Sequence, residues 1–177
     1  MITIGIDVGA TGGVAIFGDE RLVAVEPMPN YTHYKKNGGN KKLVHATALA
    51  HILKPYISAY PGEVTAFIEQ VNSTPQMGLV SCASFMEAKG TIIGVLGALE
   101  IPFQEVSPQV WKASAGIKVV GAQTMPAAKV RSIAKDMART KVIQLFPEQA
   151  DKFTLKKSAD MAESVLIGLY GLKTTKE

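Results

Sequence analysis

Met1-Ile-Thr-Ile-Gly-Ile-Asp7-Val-Gly-Ala-Thr-Gly-Gly13 opens the chain and decides how the rest is read. Residues 1–7 form an apolar run that ends on a carboxylate, the pattern of a buried strand whose last residue reaches the edge of a core. Gly9, Gly12 and Gly13 supply a tight turn, glycine being free to adopt positive φ. Residues 14–18 and 21–26 continue as two further strands joined across Gly18-Asp19-Glu20. The three strands predict an antiparallel meander.

Further along, residues 29–41 read as a basic loop containing Gly and Asn. A helix is predicted over 43–60, with Leu43, Ala46, Leu49, Ala50, Leu53 and Ile57 in helical spacing. Pro55 inside it marks a kink or an early stop. Residues 63–70 form a fourth strand ending near Glu69, and Asn72-Ser-Thr-Pro75 a loop. A long helix over 78–99 carries Gly90, Gly94 and Gly97. Each helical glycine costs about 1 kcal/mol relative to alanine, so three of them predict close packing on a sheet or a partner subunit. Residues 102–106 form a fifth strand, Ser107 starts a short helix, and 117–125 is a loop. The helix over 126–145 is amphipathic, with Ala127, Val130, Ala134, Met137, Ala138 and Val142 inward and Arg131, Lys135 and Arg139 on its other side. The last helix, 158–172, turns Ala162, Val165, Leu166 and Leu169 inward. The order βββαβαβα describes one α/β domain over residues 1–177. Crossover helices make strands four and five parallel, while the first three are antiparallel. The expected fold is a mixed five-stranded, RNase H-like sheet flanked by helices. Strand four then lies beside strand one, which puts Asp7 and Glu69 on neighbouring strands.

Composition bounds the function. The chain has 177 residues, 47% of them hydrophobic, and a mean hydropathy of +0.15, which is enough apolar material for a sizeable core and excludes a disordered chain. Its single cysteine, Cys82, excludes an internal disulfide and fits a reducing, cytoplasmic setting. The small apolar residues around Cys82 read as core. No basic, then apolar, leader pattern is present, and the most apolar stretch, 91–99, is short of a membrane span, so no membrane partner is expected. The net charge of +4 is modest, but its distribution is informative. Residues 31–42 hold four lysines and no acid. Residues 106–142 hold Lys112, Lys118, Lys129, Arg131, Lys135, Arg139 and Lys141 against Asp136 alone. Two basic segments around a carboxylate site suit a polyanion lying across it.

The carboxylates themselves are Asp7, Glu69, Asp160 and Glu163. Asp160 and Glu163 are three apart on one helix face. Four clustered acids repel one another unless cations lie between them. Mg²⁺ takes oxygen ligands and keeps waters, leaving room for a phosphate. Two such ions about 4 Å apart can activate water on one side of a phosphodiester and stabilise the leaving oxygen on the other. Taken singly, each acid also has an ordinary structural reading: a turn cap at Asp7, a lysine pair at Glu69, a solvated helix face at the other two.

Gly5-Ile-Asp7-Val-Gly9, Ile68-Glu69-Gln-Val71, Val106-Ser-Pro-Gln-Val-Trp-Lys112 and Ala159-Asp160-Met-Ala-Glu163-Ser-Val-Leu-Ile-Gly168 together resemble the RuvC-type Holliday-junction resolvases, bacterial or phage-encoded. The resemblance implies a homodimer that cuts two strands of a four-way DNA junction, dependent on Mg²⁺ or Mn²⁺, two ions to a site, leaving 5′-phosphate and 3′-hydroxyl ends. It implies that Asp7, Glu69, Asp160 and Glu163 bind the metal, and that Lys112 and Lys129 hold the DNA backbone. Lys118, Arg131 and Lys157 complete the expected DNA-binding set, with Lys156 beside Lys157. Trp111 reads as core or dimer packing. Tyr31 and Tyr34 sit in the lysine segment, where they can stack on unpaired bases. The sequence departs from the family in having Glu at position 163, no aromatic wedge soon after Glu69, where Asn72-Ser-Thr stands, and a long 117–125 stretch. Other readings stay open: a flap or fork nuclease with the same residues, a DNA-binding module without cleavage, and an actin-like ATP-binding domain built on the Gly5–Gly13 turn.

Overall fold

β1 (Ile2–Asp7) is buried along its whole length, and that burial makes it the centre of the molecule. In this computed structural model residues 1–34, 36, 38–71 and 78–175 are described. β2 (Gly13–Gly18) pairs antiparallel with β1, and β3 (Arg21–Pro27) antiparallel with β2. After an inserted ribbon, β4 (Asn30–Tyr34) and β5 (Asn40–Val44), and helix α1 (Ala46–Ala59), β6 (Val64–Glu69) runs parallel to β1. Helix α2 (Leu79–Ala98) then crosses over to β7 (Phe103–Val106), parallel to β6. The sheet order is β3-β2-β1-β6-β7, the expected mixed five-stranded sheet.

Side chains alternate between the two faces of a strand, and this alternation sorts the core into two halves. Ile2, Ile4, Ile6, Val64, Ala66 and Ile68 face α1 and α2 with Leu49, Leu53, Ile92 and Leu96. Ala15, Phe17 and Phe67 face the other way, onto α3 (Pro108–Ser114), α4 (Ala127–Leu145) and α5 (Ala159–Thr174). Asp7 and Glu69 fall in the same alternation as Gly5 and Phe67. Both carboxylates therefore end their strands on the α5 side. α5 lies directly on β1, β2 and β6, and ten of its residues are buried.

Several expectations need correction. Residues 30–34 and 40–41 are strand rather than loop. Tyr31, Thr32 and Tyr34 are good strand formers, and Tyr31, Thr32, His33 and Tyr34 pair in turn with Leu43, Lys42, Lys41 and Asn40 as a two-stranded antiparallel ribbon. Leu43 and Val44 thus belong to β5, and α1 starts at Ala46 rather than at 43. His45 is its cap, its Nδ1 accepting from the Ala48 N–H at 3.3 Å. Pro55 is accommodated inside a continuous helix. Ala127 is exposed rather than inward. Cys82 is half-buried on α2 rather than core. Gly90, Gly94 and Gly97 do not pack on the sheet; a Cβ added at any of them would meet nothing within 4 Å. Helix α2 is long and apolar enough by length and composition to cross a membrane, unlike the shorter 91–99 stretch considered alone. In the fold its buried stripe, Ala88, Ile92, Val95 and Leu96, lies on the core, and its charges are ion-paired, Glu87 with Lys41 and Lys89 with Glu105. The 117–125 loop contains one short 3-10 turn, Ala122–Thr124. The Asn72–Pro75 loop and Lys35 lie outside the described residues.

Candidate active site

Close backbone contact brings the last helix to the strand ends. A Cβ on Gly13 would sit 2.6 Å from Met161 Cα and 2.9 Å from the Asp160 carbonyl oxygen. One on Gly5 would lie 2.7 Å from Gly168 Cα and still nearer to the Ser164 carbonyl oxygen. Glycine at these places lets α5 rest on bare backbone, with its first turns beside the end of β1. As a result one ligand oxygen each from Asp7, Asp160 and Glu163 lies within 4.8 Å of the others. Glu69, at the end of the neighbouring strand, lines the same cleft of about 390 Å³, with Thr11, Gly12, Gln70, Phe85, Lys112, Arg131 and Lys135.

Such crowding has an electrostatic cost. Asp7 is 8% exposed, and burial first, then the charges of Glu69, Glu163 and Asp160, hold its carboxyl well above the usual range. Burial also raises Glu69, against the opposing Lys112 charge and the hydrogen bond from Trp111. Glu163 is raised by burial too, opposed by Lys112 and Lys135. Burial lowers Lys135, but its hydrogen bond to Asp160 and the charges of Asp160, Glu163 and Asp7 outweigh that and raise it. An all-oxygen, mostly buried donor set with more negative charge than its lysines neutralise fits a hard divalent cation. Asp7, Asp160 and Glu163, with Glu69 beside them, are the residues that would hold it.

No protein-family model matches the chain, and neither does any curated protein. Solved structures do. T. thermophilus RuvC in complex with Holliday junction substrate aligns at a TM-score of 0.53 and 14% identity, over 99% of this chain and 95% of that one. A second Thermus thermophilus RuvC structure aligns at 0.51 and 14% identity, over 99% of this chain and 97% of its own. The fold is that of RuvC. Within this RuvC fold the carboxylate cleft lies at the carboxyl end of the two central parallel strands.

The basic residues divide into two groups. Lys112 and Arg131 line the cleft. Lys118, Lys129 and Lys157 are exposed and lie outside its lining, as does Lys156. Lys112 Nζ stands 3.6 Å from Glu163 Oε1 and 4.9 Å from the centre of the Trp111 ring. Trp111 is fully buried, as expected of a core residue, but its Nε1–H also donates to Glu69 Oε1 at 3.2 Å. One indole thus aims a carboxylate and steadies a lysine. Lys135 is a cleft residue that sequence reasoning did not single out. It bonds Asp160 and stands 4.0 Å from Glu163 Oε2. The available signal was its place four residues after Arg131 on the basic side of α4. Arg139, one turn further, is structural: it donates to the Phe153 and Thr154 carbonyls and pairs with Asp136.

Lys135 holds Asp160 from the side of the cleft, so a cation on that carboxylate would have to compete with it. Lys135→Met is expected to tighten Mn²⁺ binding by about tenfold, allowing for solvent screening of a half-exposed ammonium, and to lower the melting temperature of the metal-free protein. Calorimetric titration with Mn²⁺ reads the first effect; unchanged affinity would mean that Lys135 leaves the carboxylates at no cost.

Proposed function

We propose that this chain is a divalent-metal-dependent endodeoxyribonuclease that resolves four-way DNA junctions by paired nicks, leaving 5′-phosphate and 3′-hydroxyl ends. The observation that carries this reading is the convergence of four carboxylates from three elements on one cleft of a RuvC fold, with Lys112, Arg131 and Lys135 in its wall. One of the similar structures holds a Holliday junction, which supports branched DNA as the substrate here. Divalent ions on Asp7, Glu69, Asp160 and Glu163 would supply a water of lowered pKa and stabilise charge around phosphorus. The residues of the chain do the positioning. Burial fixes the Asp7 and Glu163 oxygens, Trp111 orients Glu69, and α3 presents Lys112 to a backbone phosphate. Water adds to phosphorus, the P–O3′ bond breaks, and the 3′-oxygen leaves as a hydroxyl. A homodimer across the uncovered face of α2 would place two clefts on opposed strands. Leu79 and Val80 are 86% and 74% exposed there, and the open Gly90, Gly94 and Gly97 allow close backbone approach.

The test is cleavage of a labelled synthetic four-way junction beside linear duplex, flap and fork DNA, with Mg²⁺ or with chelator. Paired nicks in opposed strands, on the junction alone and only with metal, are expected. Equal rates on flaps and forks would make the protein a broader branched-DNA nuclease. An inert, folded protein would exclude both.

A further inference from the structure

The β4–β5 ribbon contributes nothing to the five-stranded sheet and no residue to the cleft lining. Its location is nevertheless set by the site. In the sheet register Asp7 lies opposite Gly13 and Gly13 opposite Pro27, so β3 ends at the level of the carboxylates. The Met28 N–H donates to the carbonyl of Gly12, a cleft residue, at 2.9 Å, and β4 begins two residues later. The ribbon is closed at its root by the His45 N–H to Pro29 carbonyl bond of 2.8 Å and by the edge-on Tyr31–His45 contact at 5.7 Å. A second tether, the Lys41–Glu87 ion pair, joins it to α2 two residues from Phe85, which lines the cleft. A short ribbon on its own is marginal in water; this one is held at two points, its root beside Gly12 of the cleft and its second strand on α2.

Its faces differ. Cross-strand partners point the same way, so Tyr31, His33, Lys41 and Leu43 share the tethered face. Thr32, Tyr34 and Lys42 share the other, and all three are exposed, Tyr34 at 78%. Among the described residues neither Lys42 nor Lys36, at the ribbon's tip, has an acidic partner. The segment 31–42 holds four lysines and no acid. An aromatic ring set between uncompensated lysines is the chemistry of a nucleic-acid contact, and a two-stranded ribbon has the width of the DNA major groove.

We infer that the β4–β5 ribbon is a second DNA contact outside the cleft, in which Lys36 and Lys42 pair with backbone phosphates of one arm of the branched substrate and Tyr34 lays its ring against that arm. The inference rests on the nuclease reading, because the ribbon is placed to hold what the cleft cuts. It also separates gripping from cutting, since none of its residues reaches the carboxylates.

The experiment is anisotropy titration of a labelled four-way junction in chelator at several salt concentrations, so that binding is read without cleavage. Lys36→Ala with Lys42→Ala is expected to weaken binding about tenfold at 0.1 M salt and to make the slope of log K against log salt shallower by about 1.8, the release of two counterions. Tyr34→Ala is expected to weaken binding at an unchanged slope, with Tyr34→Phe restoring it. A pair with the same loss of charge elsewhere, Lys54→Ala with Lys152→Ala, is expected to bind like wild type. Wild-type affinity and slope in the ribbon variants, or equal losses in the control pair, would overturn the inference and leave the nuclease reading intact. A wild-type protein that binds no junction would overturn both.

Discussion

Asp7→Asn is expected to reduce junction cleavage by at least about 10³-fold while junction binding in chelator stays within about twofold of wild type. The carboxylate is one of three whose oxygens converge within 4.8 Å, and it is among the most deeply set of the four acids. Metal-borne charge stabilisation at phosphorus is worth several kcal/mol, and each 1.36 kcal/mol is a factor of about ten in rate. Asparagine keeps the shape and removes the charge, and its amide can donate to the neighbouring Glu69 carboxylate in the same cleft. Single-turnover cleavage and anisotropy separate the two effects. Loss of binding together with loss of cleavage would mean that Asp7 holds the fold rather than the metal.

The same substitution is expected to stabilise the protein when metal is absent, and the sign follows from the raised acids. Asp7, Glu69 and Glu163 hold protons more tightly folded than unfolded. The folded state therefore binds more protons across the window from the unfolded carboxylate values, about 4, up to the raised folded ones. Stability falls as pH rises through that window and stays low above it. Asp7→Asn removes a buried negative charge, so its melting temperature in chelator should exceed wild type at pH 7.5 and match it near pH 4. Each kcal/mol relieved corresponds to about 2–4 °C in a chain of this size. With saturating Mn²⁺ the order should reverse, because the ion stabilises the ionised cluster of the wild type by mass action. A variant less stable than wild type in chelator at pH 7.5 would show that the repulsion is not there.

Much of this was legible in the sequence for a definite reason. Strand alternation and turn residues are local signals, so β1, β2, β3, β6 and β7 could be read from their apolar runs and the breaks between them. Their order, with β6 beside β1 and hence Asp7 and Glu69 at neighbouring strand ends, followed from the RNase H-like layout that this succession of elements matches. The ribbon was hidden because its lysines read as loop while its pairing is set by cross-strand partners ten or so residues apart. The position of Lys135 was hidden for another reason. Its row on α4 is plain, but which member of Arg131, Lys135 and Arg139 meets the acids depends on how α4 lies against α5, and no periodicity carries that. The glycines of α2 were left between a sheet and a partner subunit because helical spacing alone does not say which side of a helix the sheet takes, and it takes the other side.

Gly5→Ala carries the second large effect, through a residue that has no chemistry of its own. Gly5 lies mid-strand, with its bare Cα against the backbone of α5 at Ser164 and Gly168. The added methyl would meet main-chain atoms rather than a side chain that can swing away, so α5 must shift outward or β1 must bend. Overpacking of this kind costs about 1–3 kcal/mol and occasionally more. That is about 2–12 °C in melting temperature. The functional loss should exceed the loss of stability, because α5 carries both Asp160 and Glu163 and hinges on this contact. A displacement of about 1 Å at a reacting centre is enough for about a 10²-fold loss of rate. Gly5→Ala should therefore remain folded at 25 °C, bind Mn²⁺ at least about tenfold more weakly, and cut the junction about 10²-fold more slowly. If melting temperature and Mn²⁺ affinity both stayed at wild-type values, α5 would not be resting on β1, and the convergence of the carboxylates would need another cause. The expected result would instead place the metal affinity of the cleft under the control of the spacing between a strand and a helix, with bare glycine backbone setting how near the acids on one come to the acid on the other.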